Sequence, residues 1–181
     1  MAGNNNSKKK LNYTLLFIAK LLNSNNISKW FIAYGTLLGI VRENSCIDND
    51  DDVDIICDCN DFNKLIKILN KNNIEIENCF KDIRNKISVI KTKETKFLAS
   101  IDLYMGEIDK NGNYYEPHER ITWQECYLNN KLIKKVWNDT ILYLPNNAVK
   151  KLVGRYGKNW KIPCEHKKFW VIEGLPKNKI I

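Results

Sequence analysis

The stretch CIDNDDDVDII, residues 46–56, gathers five aspartates into the seven positions 48–54 of a chain whose formal net charge is +8. Like charges this close repel, so the cluster needs a counter-charge. In an extended strand side chains alternate between faces. Asp52 and Asp54 then share one face while Val53 and Ile55 take the other, and Asp50 joins the aspartates if the extended stretch starts early. Carboxylates on one face, at the edge of an apolar strand, form a hard-oxygen site suited to Mg²⁺ or Mn²⁺. Substrate phosphates complete the shell of such an ion. A solvated acidic loop is the ordinary alternative. A calcium EF-hand loop fails on spacing: with Asp48 first, the sixth position is Val53 rather than Gly and the twelfth is Cys59 rather than Glu, and starting at Asp50 puts Ile55 sixth.

Two further pieces belong with the cluster. Upstream, AYGTLLGIVREN (residues 33–44) places Gly35 and Thr36 directly after an apolar strand pattern and at the opening of a helix. Backbone N–H groups there are free to hold a phosphate, although a cap and turn is the plainer reading. Arg42 falls in the turn towards the acidic loop and offers a forked donor. Downstream, SIDLYM sets Asp102 in a strand whose Ile101 and Leu103 point the opposite way. A metal shared with Asp52 and Asp54 would partner Asp102; a salt bridge to Lys or Arg is the alternative.

The elements that must position these residues read as follows. Leu11, Leu15, Ile18 and Leu22 repeat at helical spacing. KWFIAY (29–34) is a strand, TLLGIVR one or two helical turns, and VDIICDC (53–59) a second strand. Asp61–Asn72 is a helix with an aspartate cap. ISVIK (87–91) and FLASIDLYM (97–105) are strands, DKNGNYYEP (109–117) is a turn or exposed loop, and KKVWN and ILYLP are short strands. Asn146–Gly157 is a final helix ended by glycine. Residues 1–9 form a disordered tail, and 10–181 one domain of α+β (mixed α/β) class.

Composition limits the function classes. The chain has 181 residues, 44% of them hydrophobic and 28% charged, which suits a globular core rather than a disordered chain. No window is long and apolar enough for a membrane span, and no signal peptide is legible, so a cytoplasmic protein is expected. Six scattered cysteines suggest reduced thiols. Cys57 and Cys59 share a strand face but are two ligands only, and His118, Cys126, Cys164 and His166 fit no zinc spacing. Trp30, Trp123, Trp137, Trp160 and Trp170 are expected in the core, and Lys8–Lys10 and Lys167–Lys168 on solvated faces. The basic residues are dispersed rather than striped and no aromatic RNA-binding signature is present, so no stable nucleic-acid partner is expected.

Strand, Gly-Thr, helix, D-x-D and a later strand carboxylate resemble the nucleotidyltransferase fold. More narrowly, YGTLLGIVRENSCIDNDDDVDI is similar to the signature of the LicD family, which includes phosphocholine and fukutin-type transferases. LPNNAVKKLVGRYGKNWKIP, Leu144–Pro163, is similar to that family's closing helix and Tyr-Gly…Trp…Pro stretch. The family's Pro and aromatic residue before the acidic triplet are replaced here by Asp48 and Asn49, and little chain separates Asp102 from the closing helix. The resemblance implies a central mixed sheet flanked by helices. It implies that Gly35 and Thr36 contact donor phosphate, that Asp50, Asp52, Asp54 and Asp102 hold Mg²⁺ or Mn²⁺, and that Arg42 supports the loop or the phosphate. It implies transfer of a phospho-alcohol or phospho-sugar from a CDP-type donor to a hydroxyl of a glycan or glycoprotein, with Asp102 as base or ligand. Nucleotidyl transfer with release of pyrophosphate, and a non-enzymatic basic nucleic-acid-binding module, are the competing readings.

Overall fold

The computed structural model describes residues 7–127, 129, 131–163 and 179–181. In chain order the elements are α1 (Ser7–Ser24), β1 (Trp30–Ile32), α2 (Tyr34–Glu43), β2 (Asp52–Asp58), a 3₁₀ turn (Cys59–Asp61), α3 (Phe62–Lys71), β3 (Ile76–Lys81), β4 (Ile87–Thr92) and β5 (Ser100–Ile108). They continue with β6 (Tyr114–Glu116), β7 (Ile121–Trp123), β8 (Ile133–Trp137), β9 (Thr140–Leu144), α4 (Ala148–Tyr156) and β10 (Lys179–Ile180).

The helical stripe behaves as its spacing requires. Leu11, Leu15, Ile18 and Leu22 are buried, joined by Thr14 and Ala19, and α1 packs on β9 and β2. The helix starts at Ser7, so it takes in the last three residues of the stretch read as a tail. In the mixed sheet β2 pairs antiparallel with β1 and parallel with β5, while β5 pairs antiparallel with β4 and β6. β3 joins at β4, β7 at β6 and β10 at β7, and β8–β9 form a separate hairpin. Strand β2 carries Val53, Ile55 and Cys57 into the core beside Ile101, Leu103 and Met105 of β5, all 0–1% exposed. That apolar face anchors the two strands whose opposite face bears Asp52, Asp54 and Asp102. The architecture is the expected α+β fold with a central mixed sheet flanked by helices. No helix among the described residues is long and apolar enough to cross a membrane.

Several local expectations are corrected. β2 begins at Asp52, so Asp50 lies before the strand, and it ends at Asp58, so Cys59 opens the 3₁₀ turn instead of sharing a strand face with Cys57. Asp61 makes no side-chain cap to α3; the Asp58 carboxylate instead accepts the Asn60 N–H at 3.0 Å. Helix α2 runs ten residues from Tyr34. Residues 109–117 are not all exposed loop, since β6 lies within them with Tyr114 and Glu116 fully buried. β3, β7 and β10 were not anticipated. β3 is mostly exposed and lacks apolar alternation, and the other two are three and two residues long. Trp30, Trp123, Trp137 and Trp160 are buried as expected. Cys164, His166, Lys167, Lys168 and Trp170 lie outside the described residues.

Candidate active site

The parallel register fixes the site. Asp54 on β2 is the partner of Asp102 on β5, and Lys91 on β4 is the antiparallel partner of Asp102. Side chains at one register level of neighbouring strands rise from the same face. Lys91, Asp102 and Asp54 therefore form a row across three strands, and Asp52, two residues before Asp54, stands beside it.

Asp54 is held by the start of α2. Helix α2 has no side chain of its own at its N-terminal cap, Ala33. The Asp54 carboxylate supplies one: the Gly35 N–H donates to its Oδ2 at 3.2 Å. In return the Asp54 N–H donates to Thr36 Oγ1 at 2.9 Å, and the Ala33 N–H donates to the Asp54 carbonyl at 3.1 Å. A carboxylate here also meets the positive end of the helix dipole. The Gly35 N–H and the Thr36 hydroxyl are thus engaged with Asp54. Gly35 has a second role, since a Cβ there would lie 2.4 Å from Asp50 Oδ2. The bare glycine leaves room for that carboxylate.

Asp50 and Asp51 precede the strand, so their side chains need not alternate, and the carboxylates of Asp50, Asp51 and Asp52 each offer an oxygen within 4.8 Å of the others. This crowding has an electrostatic signature. Burial, then Asp51, pushes Asp50 up to about 6. Burial, then Asp102, Asp50 and Asp51, pushes Asp52 up to about 7, against the pull of Lys91. Asp54 is held well above the usual carboxylate range by burial and by Asp52, Asp50 and Asp102. Burial also raises Asp102, opposed by Lys91, whose Nζ donates to Asp102 Oδ1 at 3.1 Å and Oδ2 at 3.3 Å. The salt bridge weighed for Asp102 therefore exists, within the acidic cluster.

Arg42 lies in the last turn of α2, not in the following loop, and its Nε and Nη2 donate to Glu43 Oε1 at 2.9 and 2.6 Å. Tyr104, two residues beyond Asp102 on the same strand face, donates its hydroxyl to Asp54 Oδ1 at 3.4 Å. Tyr34 adopts φ 43°, a left-handed conformation unusual for a bulky residue, and donates its hydroxyl to the buried Glu116 carboxylate at 2.8 Å. Its ring packs edge-on against Tyr104 and lies under the Arg155 guanidinium, 4.6 Å from the ring centroid. Asp51, Lys91 and Tyr104 were missed in the sequence. Period-two alternation from Asp102 does point to Tyr104, whereas only the pairing of β4 with β5 reveals Lys91.

Carboxylates on two adjacent parallel strands thus stand side by side, with a helix N-terminus bonded to one of them. The lincomycin-bound crystal structure of the lincosamide antibiotic adenylyltransferase LnuA shares this fold, with a TM-score of 0.55 and 16% identity over 82% of this chain and 86% of that one. Residues 26–147 match the family described as LicD/FKTN/FKRP, nucleotidyltransferase domain, and the chain belongs to that family. No curated protein matches the chain. On the strength of the family and the fold it is a transferase.

Proposed function

We propose that the protein moves a phospho-alcohol or phospho-sugar group from a CDP-type nucleotide-linked donor to a hydroxyl of a glycan or glycoprotein. The observation that carries the reading is the convergence of Asp50, Asp51 and Asp52 within 4.8 Å beside the buried Asp54 and the half-buried Asp102. Burial and then mutual repulsion raise these carboxylates above their ordinary values, and a bound cation would relieve the repulsion. The donor set, all hard oxygen, suits Mg²⁺ or Mn²⁺ with Asp50, Asp52, Asp54 and Asp102 as the proposed ligands; among the described residues Asp50, Asp51 and Asp52 already bring oxygens within 4.8 Å of one another, whereas Asp54 and Asp102 stand outside that close group. Such an ion, when bound, offsets the charge of a diphosphate and of the nucleotide that leaves.

The chain's own residues have separable tasks. Gly35 and Thr36 fix Asp54 and keep the space for Asp50. Tyr104 steadies the second oxygen of Asp54. Asp102, steadied by Lys91 in the metal-free protein, would serve as metal ligand or as acceptor of the attacking hydroxyl's proton, two roles that compete for one carboxylate. Arg42 supports the helix end through Glu43 and has no phosphate contact in this scheme.

A second reading has an observation of its own, because the fold neighbour is by name an adenylyltransferase. The same carboxylates would then serve transfer of a nucleotidyl group. Thermal denaturation with CDP-linked alcohols, UDP-linked sugars and nucleoside triphosphates, each with and without Mg²⁺ or Mn²⁺, separates the two. The first reading expects metal-dependent stabilisation by a CDP-linked donor, absent in Asp52→Asn. Stabilisation by triphosphates alone would favour the second, and none by any nucleotide would contradict both.

A further inference from the structure

Lys91 is not accounted for by the scheme above beyond steadying Asp102. Among the described residues it is the one cation within 4 Å of any of the five carboxylates Asp50, Asp51, Asp52, Asp54 and Asp102. Its ammonium bridges two of them, at 3.1 Å from Asp102 and 3.7 Å from Asp52, and its side chain is only 29% exposed. Lysine has three donors and a flexible stem, so it serves as a movable point charge where arginine's rigid fork would not. Both bridged residues are also assigned to the metal. An ammonium and a divalent cation drawn to the same two carboxylates repel each other and compete for the oxygens that the ammonium now faces. The next lysine along the chain, Lys93, just past the end of β4, is engaged elsewhere, with Glu75 at 2.9 Å.

We infer that Lys91 is an internal counter-cation of the acidic site: it holds Asp52 and Asp102 together in the metal-free protein, is displaced when a divalent cation binds, and so sets the site's affinity for that cation. The inference rests on the reading of these carboxylates as a metal site. It differs in sign from an ordinary structural ion pair. Removing a structural lysine loosens the site and weakens every ligand, whereas removing a competing cation tightens metal binding.

The test uses Mn²⁺ alone, without nucleotide, titrated by calorimetry into the native chain, Lys91→Met and Lys91→Arg at pH 8, with circular dichroism to verify the fold. Lys91→Met should bind Mn²⁺ about tenfold more tightly, the scale of removing one unit charge from beside a divalent ion in a water-exposed site. Lys91→Arg keeps the charge and should stay within about threefold of the native affinity, well short of that Coulomb gain. If the native protein binds Mn²⁺ and Lys91→Met binds it equally or more weakly, the inference is overturned while the metal reading stands. If no form binds Mn²⁺, both are overturned.

Discussion

Replacing Gly35 by alanine separates the metal site from the fold. An ideal Cβ at this position lies 2.4 Å from Asp50 Oδ2 and 3.3 Å from its Cγ, too close to coexist. The obstacle is the far end of a side chain in the segment before β2, so Asp50 can rotate away. Gly35 is not among the residues with positive φ, so alanine meets no backbone strain. Within a helix alanine gains about 1 kcal/mol over glycine. That gain offsets most of the displacement, and the metal-free stability should change by less than about 1 kcal/mol, a melting shift of roughly 2–4 °C at most for a chain of this size. Metal binding should respond differently, because Asp50 leaves the group in which it, Asp51 and Asp52 lie within 4.8 Å. Mn²⁺ affinity should fall about tenfold or more, the least expected when a ligand is disturbed. Thermal melts with and without saturating Mn²⁺ measure both quantities, and Asp50→Asn should lose the metal-dependent shift to the same degree. A Gly35→Ala protein that keeps the whole Mn²⁺-dependent shift, or that fails to fold, would refute the reasoning.

Gly39→Ala should behave in the opposite way: its Cβ meets backbone, Ser45 O at 2.5 Å and Ile47 N at 3.0 Å, so the loop itself must move. A loss of about 1–3 kcal/mol is expected by chemical denaturation. Thr36→Val removes the oxygen that accepts the buried Asp54 N–H, and should cost about 1–3 kcal/mol, with Thr36→Ser restoring most of it. Metal-free stability should also depend on pH through Asp50 and Asp52, whose values near 6 and 7 lie above the ordinary 3.8. A folded-state value above the unfolded one means that the folded chain binds more protons. This contribution is therefore whole below about pH 4 and fades as pH rises through about 6 and 7. Melting temperature without metal should fall from about pH 5 to 8, Asp52→Asn should flatten that fall, and Mg²⁺ should offset it; a steady rise over the same window would contradict the charge assignment.

Much of the site was legible because strand alternation and helix periodicity are local. Asp52 and Asp54 share a face, Ile101 and Leu103 turn away from Asp102, and the α1 stripe is buried at the predicted positions. What was not legible depends on pairing between distant segments. Nothing in ISVIK says that its lysine will stand beside Asp102, since that follows from the register of β4 on β5. Nothing local at the Gly35–Thr36 turn shows that Asp54 of the next strand will accept the Gly35 N–H, since that too follows from the pairing of distant segments. Asp50 was expected beside Asp52, but the place of Asp51 with them was missed because alternation was extended past the point where the strand begins. The short strands β6 and β7 carry too few residues for a period to show, although they bury Tyr114, Glu116 and Trp123.

The central claim is the bond that is broken, and product analysis tests it most directly. The chain is incubated with Mg²⁺, a glycan acceptor and either a CDP-alcohol or CTP, and the products are weighed by mass spectrometry. Attack on the phosphorus bearing the alcohol releases CMP and adds a phospho-alcohol to the acceptor, and Asp52→Asn should abolish both. That is the predicted result. Pyrophosphate released from CTP, with a cytidylyl group left on the acceptor and no CMP from the CDP-alcohol, would contradict it.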